Sequence, residues 1–256
     1  MVDHKKIAQE LYDAELSNVP IEQLTSRYEN LRIDDAYKIQ IINIEKKIAE
    51  GRKITGKKIG LTSKAMQESL GVDTPDFGFL YDSMEVSDQK IPRGAILQPR
   101  VEGELAFILK KDLGDARTVE EVLEATEYIV PAIEIVGSRI ADWKLTIVDT
   151  IADNASCGMY LLSDCKIDPN ITDLKEIEMK LYKNNQLINS GFGSAVLGNP
   201  ANAVLWLAKS LSEYGVSLNS GDIILAGALS AAIPATGGDS FTCDFGEFGK
   251  IKVDFE

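Results

Sequence analysis

Glu102 and Glu104 stand two apart in Arg100-Val101-Glu102-Gly103-Glu104-Leu105-Ala106-Phe107. Leu105, Phe107 and Leu109 alternate with other positions, which is the period of a β-strand. Side chains two apart on a strand share a face, so the two carboxylates project together, opposite the Val101, Gly103 and Leu105 row. Like charges side by side repel. A solvated strand face tolerates that pairing, and so does a divalent cation held between the two acids. A third acid, Glu134, interrupts the apolar run Pro131-Ala132-Ile133-Glu134-Ile135-Val136-Gly137. A carboxylate on a buried strand is costly unless it is paired or bound to metal. The central expectation is that Glu102, Glu104 and Glu134 converge on one hard metal ion. The ordinary alternative is an E-x-E pair on a solvated strand. Carboxylates without histidine favour Mg²⁺ or Mn²⁺. Such an ion can take a chelating 2-oxo acid and act as a Lewis acid on a developing enolate.

Other residues carry chemistry less clearly. Lys57 and Lys58 are neighbours on a glycine-bracketed strand, so they point to opposite faces and one points inward. A buried lysine beside a metal has a lowered pKa and can shuttle protons, although on spacing alone a surface lysine is the commoner reading. Asp76 reads first as a turn residue before Phe77-Gly78. Asp153, Asn154 and Ser156 can orient ligands or cap a loop. Trp143 and Trp206 read as packing residues rather than stacking platforms, and the cysteines as core.

Composition narrows the function classes. The chain has 256 residues, 45% of them apolar and 26% charged, which is the balance of a globular protein with one sizeable core. Its formal net charge of −13 disfavours nucleic acid and anionic membrane as partners. The opening residues lack the apolar core of a signal peptide, and the longest weakly polar run, near 223–235, is too short to span a bilayer. Cys157, Cys165 and Cys243 form an odd, sparse set, as expected of free thiols in a reducing cytoplasm. The single histidine, His4, lies in a polar N-terminal segment. That argues against Ser-His-Asp and Cys-His nucleophiles and against His-rich metal sites. Acid–base work then falls to carboxylates, lysine, tyrosine or metal-bound water.

The elements that must position these groups follow from periodicity. Residues 3–17 predict a helix capped by Asp3. A second runs from Asp34 or Asp35 with Tyr37, Ile41, Ile44 and Ile48 as its stripe and Gly51 as its stop. The chain thus divides into a helical region, 1–51, and a mixed-β catalytic region, 52–256. Strands are expected around Ile54–Thr62, Phe79–Val86, Ala95–Gln98 and the Glu102/Glu104 segment. Thr118-Val119-Glu120-Glu121 is a capping box for a helix to about Tyr128. Ile129–Val136 is the strand of Glu134. Residues 142–154 mix apolar and acidic residues without clean periodicity and read as a loop. Ile177–Tyr182 and Gln186–Asn189 form a hairpin. Asn199-Pro200 opens a helix ended by Gly215, and Phe241–Phe245 with Lys250–Phe255 close the chain as a second hairpin. Gly191-Phe192-Gly193-Ser194-Ala195-Val196-Leu197-Gly198 lacks dinucleotide-loop spacing and reads as a flexible or substrate-flanking loop. Strands without steady helix alternation predict α+β with a mixed or antiparallel core.

Five blocks, in order, resemble one family: Gly56-Lys57-Lys58-Ile59-Gly60-Leu61-Thr62-Ser63, Pro75-Asp76-Phe77-Gly78, Gln98-Pro99-Arg100-Val101-Glu102-Gly103-Glu104, Ala132-Ile133-Glu134-Ile135-Val136-Gly137-Ser138-Arg139-Ile140, and Asp149-Thr150-Ile151-Ala152-Asp153-Asn154-Ala155-Ser156. The set is similar to the 2-keto-4-pentenoate (2-hydroxypentadienoate) hydratases of the fumarylacetoacetate hydrolase superfamily. The resemblance implies a mixed β-roll-like core and a metal site on Glu102, Glu104 and Glu134. It implies Lys58 and Asp76 as catalytic residues and Asn154 and Ser156 as substrate-binding ones. It also implies a cytoplasmic homo-oligomer, pentamer or decamer, in the catabolism of aromatic compounds, able to form a complex with a related decarboxylase. Gly103 stands where many relatives carry alanine, and is expected to loosen the strand. The implied reaction is hydration of 2-hydroxypenta-2,4-dienoate to 4-hydroxy-2-oxopentanoate. The nearest rival is decarboxylation of a 2-oxo-3-hexenedioate. From another class, the chain could be a non-catalytic, metal-stabilised structural or partner-binding protein.

Overall fold

A computed structural model of the chain describes residues 2–256 apart from positions 171 and 214. The N-terminal region is helical: α1 (His4–Ser17), α2 (Leu24–Arg27) and α3 (Ile33–Ala49). Asp3 caps α1 by accepting from the Lys6 N–H at 3.1 Å. Asp34 and Asp35 in the first turn of α3, and Lys46 and Lys47 in its last, complement the helix dipole. The buried face of α3 is Ala36, Ile39, Gln40 and Ile44. The expected stripe is therefore rotated, with Ile41 and Ile48 exposed. The cause is Gln40, a polar residue at a core position. Its amide donates to the Phe77 carbonyl at 2.9 Å and the Ile151 carbonyl at 3.2 Å, tying α3 to the β region.

The β region begins with β1 (Ile54–Gly60), α4 (Lys64–Leu70), β2 (Asp76–Tyr81), β3 (Lys90–Ile91), β4 (Arg100–Leu109), α5 (Val119–Ala125) and β5 (Thr126–Val136). It continues with α6 (Ile147–Ala152), β6 (Met159–Leu162), β7 (Glu178–Lys183), β8 (Gln186–Phe192), α7 (Pro200–Ser212) and β9 (Ile223–Leu225). It closes with β10 (Ile233–Pro234), β11 (Ser240–Asp244) and β12 (Lys250–Phe255). One sheet runs β2-β1-β9-β4-β5-β6, with β10 beside the start of β4. The other runs β3-β12-β11-β7-β8. Pairing is antiparallel except between β1 and β9 and between β12 and β3. This is the expected α+β architecture with a mixed core.

The sheets pack through Val101, Leu105, Phe107, Ile133 and Ile135 on one side and Met179, Leu181, Phe241 and Val253 on the other. At Gly103 they approach closely. A Cβ there would lie 2.8 Å from Met179 Cε and 3.0 Å from Cys243 Sγ. The glycine thus makes room for a thioether of the second sheet.

Two expectations fail locally. Ala95–Gln98 forms no strand; the short strand there is β3. The stretch 142–154 is not all loop, because it contains α6. Thr146 caps α6, and Asp149 closes a capping box by accepting from the Thr146 N–H at 2.8 Å. Asp149 also accepts from the Thr25 N–H at 2.9 Å, which pins α2 to α6.

Candidate active site

Strand register explains how residues far apart in sequence meet. Glu102 pairs with Glu134 across β4 and β5, and Glu104 with Ala132. On the other side of β4, Ala106 pairs with Leu225 and Leu225 with Lys58. Gly60 pairs with Asp76. Period-two alternation then puts Glu102, Glu104, Glu134, Lys58 and Asp76 on one face of the sheet. The opposite face is the apolar core. Lys57 points that way and is also buried, its Nζ 2.6 Å from Asp222 Oδ2. Both lysines are therefore inside, each with an acid.

One carboxylate oxygen from each of Glu102, Glu104 and Glu134 lies within 4.8 Å of the others. Glu104 and Glu134 are buried and Glu102 partly so. The Gly227 N–H donates to Glu104 Oε2 at 2.9 Å and fixes that carboxylate. Glu104 Oε1 and both oxygens of Glu134 accept no hydrogen bond. Buried carboxylate oxygens normally find a donor, so the convergence of unpartnered ones fits a hard cation. Burial, reinforced by the charge of Glu134, pushes the Glu102 carboxyl up to about 7. Burial and the charges of Glu134 and Glu102 hold Glu104 well above the carboxylate range, and burial with the charge of Asp76 raises Glu134 against the opposing pull of Lys58.

Lys58 Nζ lies 3.5 Å from Glu134 Oε1. Its pKa is raised, against the expectation of a lowered one. Desolvation does push it down, but Glu134, Asp76 and Glu102 together outweigh burial. Asp76 is fully buried, and burial raises its pKa. Thr150 Oγ1 donates to Asp76 Oδ2 at 3.3 Å and lies 3.3 Å from Ser156 Oγ. Asp76 Oδ1 accepts no hydrogen bond. Gly60 makes space for it, since a Cβ there would sit 2.2 Å from that oxygen.

Asn154 donates to the Phe79 carbonyl at 3.0 Å and accepts from the Phe79 N–H at 2.9 Å. Its amide thereby holds β2 in place. Arg139 and Asp153 form a buried pair, and Arg139 also donates to the Cys157 carbonyl at 2.8 Å. That pair fixes the turn carrying Asn154 and Ser156. Sequence reasoning missed Thr150 and Gly60 as parts of the site. The signal for Gly60 was its place opposite an acid across a strand pair, which needs the register.

The fumarylacetoacetate (FAA) hydrolase C-terminal family pattern matches residues 62–256. The chain belongs to the fumarylacetoacetate hydrolase family. It is 45% identical over 254 residues to the 2-keto-4-pentenoate hydratase of Paraburkholderia xenovorans (strain LB400), covering 98% of this chain and 94% of that one. It is 45% identical over 251 residues to the 2-hydroxyhexa-2,4-dienoate hydratase of Comamonas testosteroni, covering 96% of this chain and 95% of the relative. Among solved structures, 4-oxalocrotonate decarboxylase from Pseudomonas putida G7, complexed with magnesium and adipate, superposes with a TM-score of 0.95. That likeness has 30% identity and covers 100% of this chain and 99% of the other. This family member thus carries its acidic cluster on a fold shared with a magnesium-bound structure.

Proposed function

We propose that this fumarylacetoacetate hydrolase family member is a divalent-metal-dependent hydro-lyase. It hydrates 2-hydroxypenta-2,4-dienoate to 4-hydroxy-2-oxopentanoate in the catabolism of aromatic compounds. The observation that carries the reading is the convergence of Glu102, Glu104 and Glu134 beside Lys58 and Asp76 on one buried sheet face. The carboxylates would hold Mg²⁺ or Mn²⁺. When bound, such an ion supplies a Lewis acid that stabilises negative charge at the 2-oxygen of a 2-oxo acid.

The chain's own groups would move the protons. The dienol loses its O–H proton and C5 gains one, giving the conjugated 2-oxo-3-enoate. Lys58, charged and next to Glu134, is the donor for that step, and Asp76 is its partner. Water then adds its hydroxyl to C4 and C3 takes the remaining proton. Asp76, with one oxygen free and the other held by Thr150, is placed to take a proton from that water. Ser156 extends the polar chain through Thr150 toward the substrate. Asn154 contributes by holding β2, and with it Asp76, in position.

The same reading carries a cytoplasmic homo-oligomer built from pentameric rings and contact with a related decarboxylase. The free cysteines support a reducing compartment. The exposed Leu187 and Phe192 on the edge strand β8 support self-association. Among the described residues no helix is long and apolar enough to cross a membrane.

The fold match to the decarboxylase favours one second reading, loss of CO₂ from a 2-oxo-3-hexenedioate. The test supplies purified protein and Mg²⁺ or Mn²⁺ with each substrate, following dienol absorbance, product identity and CO₂. Hydration of the monocarboxylate without CO₂ supports the first reading. Turnover of the dicarboxylate alone, with CO₂ release, replaces it by the second.

A further inference from the structure

Arg100 opens β4 two residues before Glu102 and shares its face. It is only partly exposed, and Glu102 acts on its charge. Among the described residues no carboxylate or carbonyl accepts a hydrogen bond from its guanidinium. Its guanidinium carbon instead lies over the Trp143 indole, 4.3 Å from the ring centroid. The expectation that Trp143 merely packs is therefore wrong: it is a platform.

The platform is held under strain. Trp143 and Asp142 are consecutive left-handed residues, at φ 55° and 57°, and Gln98 opposite them is left-handed at φ 49°. None is glycine, so each conformation is costly and persists only where its surroundings impose it. The surroundings are a closed hydrogen-bond set. Trp143 Nε1 donates to the Gln98 carbonyl at 3.0 Å, and the Asp142 N–H donates to Gln98 Oε1 at 2.7 Å. Gln98 Nε2 donates to the Ser138 carbonyl at 2.9 Å and the Ile140 carbonyl at 2.8 Å. The result fixes an indole against a guanidinium whose N–H donors remain unspent. A planar cation with free paired donors, beside a metal-ligand carboxylate, matches a carboxylate anion.

We propose that Arg100, set by the Gln98–Asp142–Trp143 platform, recognises the C1 carboxylate of the substrate. This rests on the 2-oxo-acid reading above and adds to it. Arg100 would donate its free N–H groups to that carboxylate, beside an ion that Glu102, Glu104 and Glu134 would hold. The site therefore requires a free carboxylate next to C2 and discriminates against the ester or amide. A distal carboxylate has no part in this contact.

The test uses Arg100→Gln, Arg100→Lys and Trp143→Leu in the full chain. Mn²⁺ affinity is measured first, without ligand. Pyruvate and pyruvamide then serve as binding probes of the Mn²⁺-loaded proteins, and kcat and KM are measured for the dienoate. Arg100→Gln is expected to weaken pyruvate binding and raise KM roughly ten- to hundredfold, the worth of a charge-assisted hydrogen bond. Pyruvamide binding changes far less, Arg100→Lys recovers part of the loss, and Trp143→Leu falls between. Mn²⁺ affinity stays within about threefold. Unchanged pyruvate affinity in Arg100→Gln overturns the proposal. So does a Mn²⁺ affinity that shifts as much as pyruvate affinity, because Arg100 would then only screen Glu102. Selective loss of a dicarboxylate probe also overturns it, by assigning Arg100 to the distal end. Wild-type protein that binds pyruvate through Arg100 but does not hydrate the dienoate sinks the hydratase reading and leaves this assignment standing.

Discussion

Metal binding should expel protons, and the structure sets how many. Without a cation, Glu102, Glu104 and Glu134 compete for one buried pocket, with Lys58 opposing their charge and Arg100 that of Glu102. Burial and mutual repulsion raise Glu102 from 4.5 to about 7 and hold Glu104 well above the carboxylate range. At pH 7 the metal-free site therefore keeps about half a proton on Glu102, and Glu104 is shifted in the same direction by burial and its acidic neighbours. A divalent ion needs the ionised forms, so its entry should release at least about half a proton at pH 7. Titration calorimetry with Mn²⁺ in buffers of different ionisation enthalpy measures that number directly. Affinity should rise roughly fivefold or more from pH 6 to 7 as Glu102 ionises, and its proton release should fall at pH 9. The stability of the metal-free protein follows the opposite sign. A carboxyl whose folded pKa is raised stabilises the fold below its unfolded value, and that contribution disappears as pH rises to the folded value. For Glu102 the window runs from 4.5 to about 7, an upper limit of roughly 3 kcal/mol. Metal-free protein should therefore unfold at lower urea at pH 7.5 than at pH 5, and Mn²⁺ should reverse the difference. Glu104→Gln should lower the number of released protons and abolish turnover. Release below about 0.2 proton at pH 7, with tight Mn²⁺ binding, would refute the reasoning, because the cation would then lie elsewhere.

Gly60→Ala places a Cβ 2.2 Å from Asp76 Oδ1 and should lower kcat roughly ten- to hundredfold while Mn²⁺ affinity holds. Steady-state kinetics beside a Mn²⁺ titration decide it, and an unchanged kcat would remove Asp76 from the proton path. Asp239 is held down to about 2 by Lys183 at 2.9 Å, the Thr236 N–H at 2.8 Å and Asn184 at 3.0 Å, against the opposing cost of burial. A depressed carboxyl stabilises above its unfolded pKa and loses that contribution as pH falls to about 2. Asp239→Asn should thus cost about 1–2 kcal/mol at pH 7 in urea unfolding and almost nothing near pH 2.

Much of this site was legible because strand parity is simple. Glu102 and Glu104, two apart on one strand, predict a shared face, and Glu134, alone in an apolar run, reads as a buried acid that the register then sets opposite Glu102. Lys58 could be placed inside or outside but not assigned neighbours, because only the register through Leu225 and Ala106 puts it on the carboxylate face. The sign of its pKa was misjudged for the same reason: desolvation is visible in a sequence, whereas acids from other strands are not. α6 was missed because Thr146 and Asp149 sit among apolar residues that face two partners and blur the helical period. The α3 stripe was rotated by Gln40, whose burial depends on carbonyls far away in the chain. Trp143 looked like packing because nothing local reveals that its backbone is left-handed.

The central claim is that three glutamates from two neighbouring strands grip one divalent ion. Diffraction from a Mn²⁺-grown crystal, recorded at the manganese absorption edge, locates that ion without reference to activity. The account predicts one strong anomalous peak per chain, bonded to oxygens of Glu102, Glu104 and Glu134 and next to Lys58. A peak bonded to other residues, or none at a concentration that supports turnover, would contradict it.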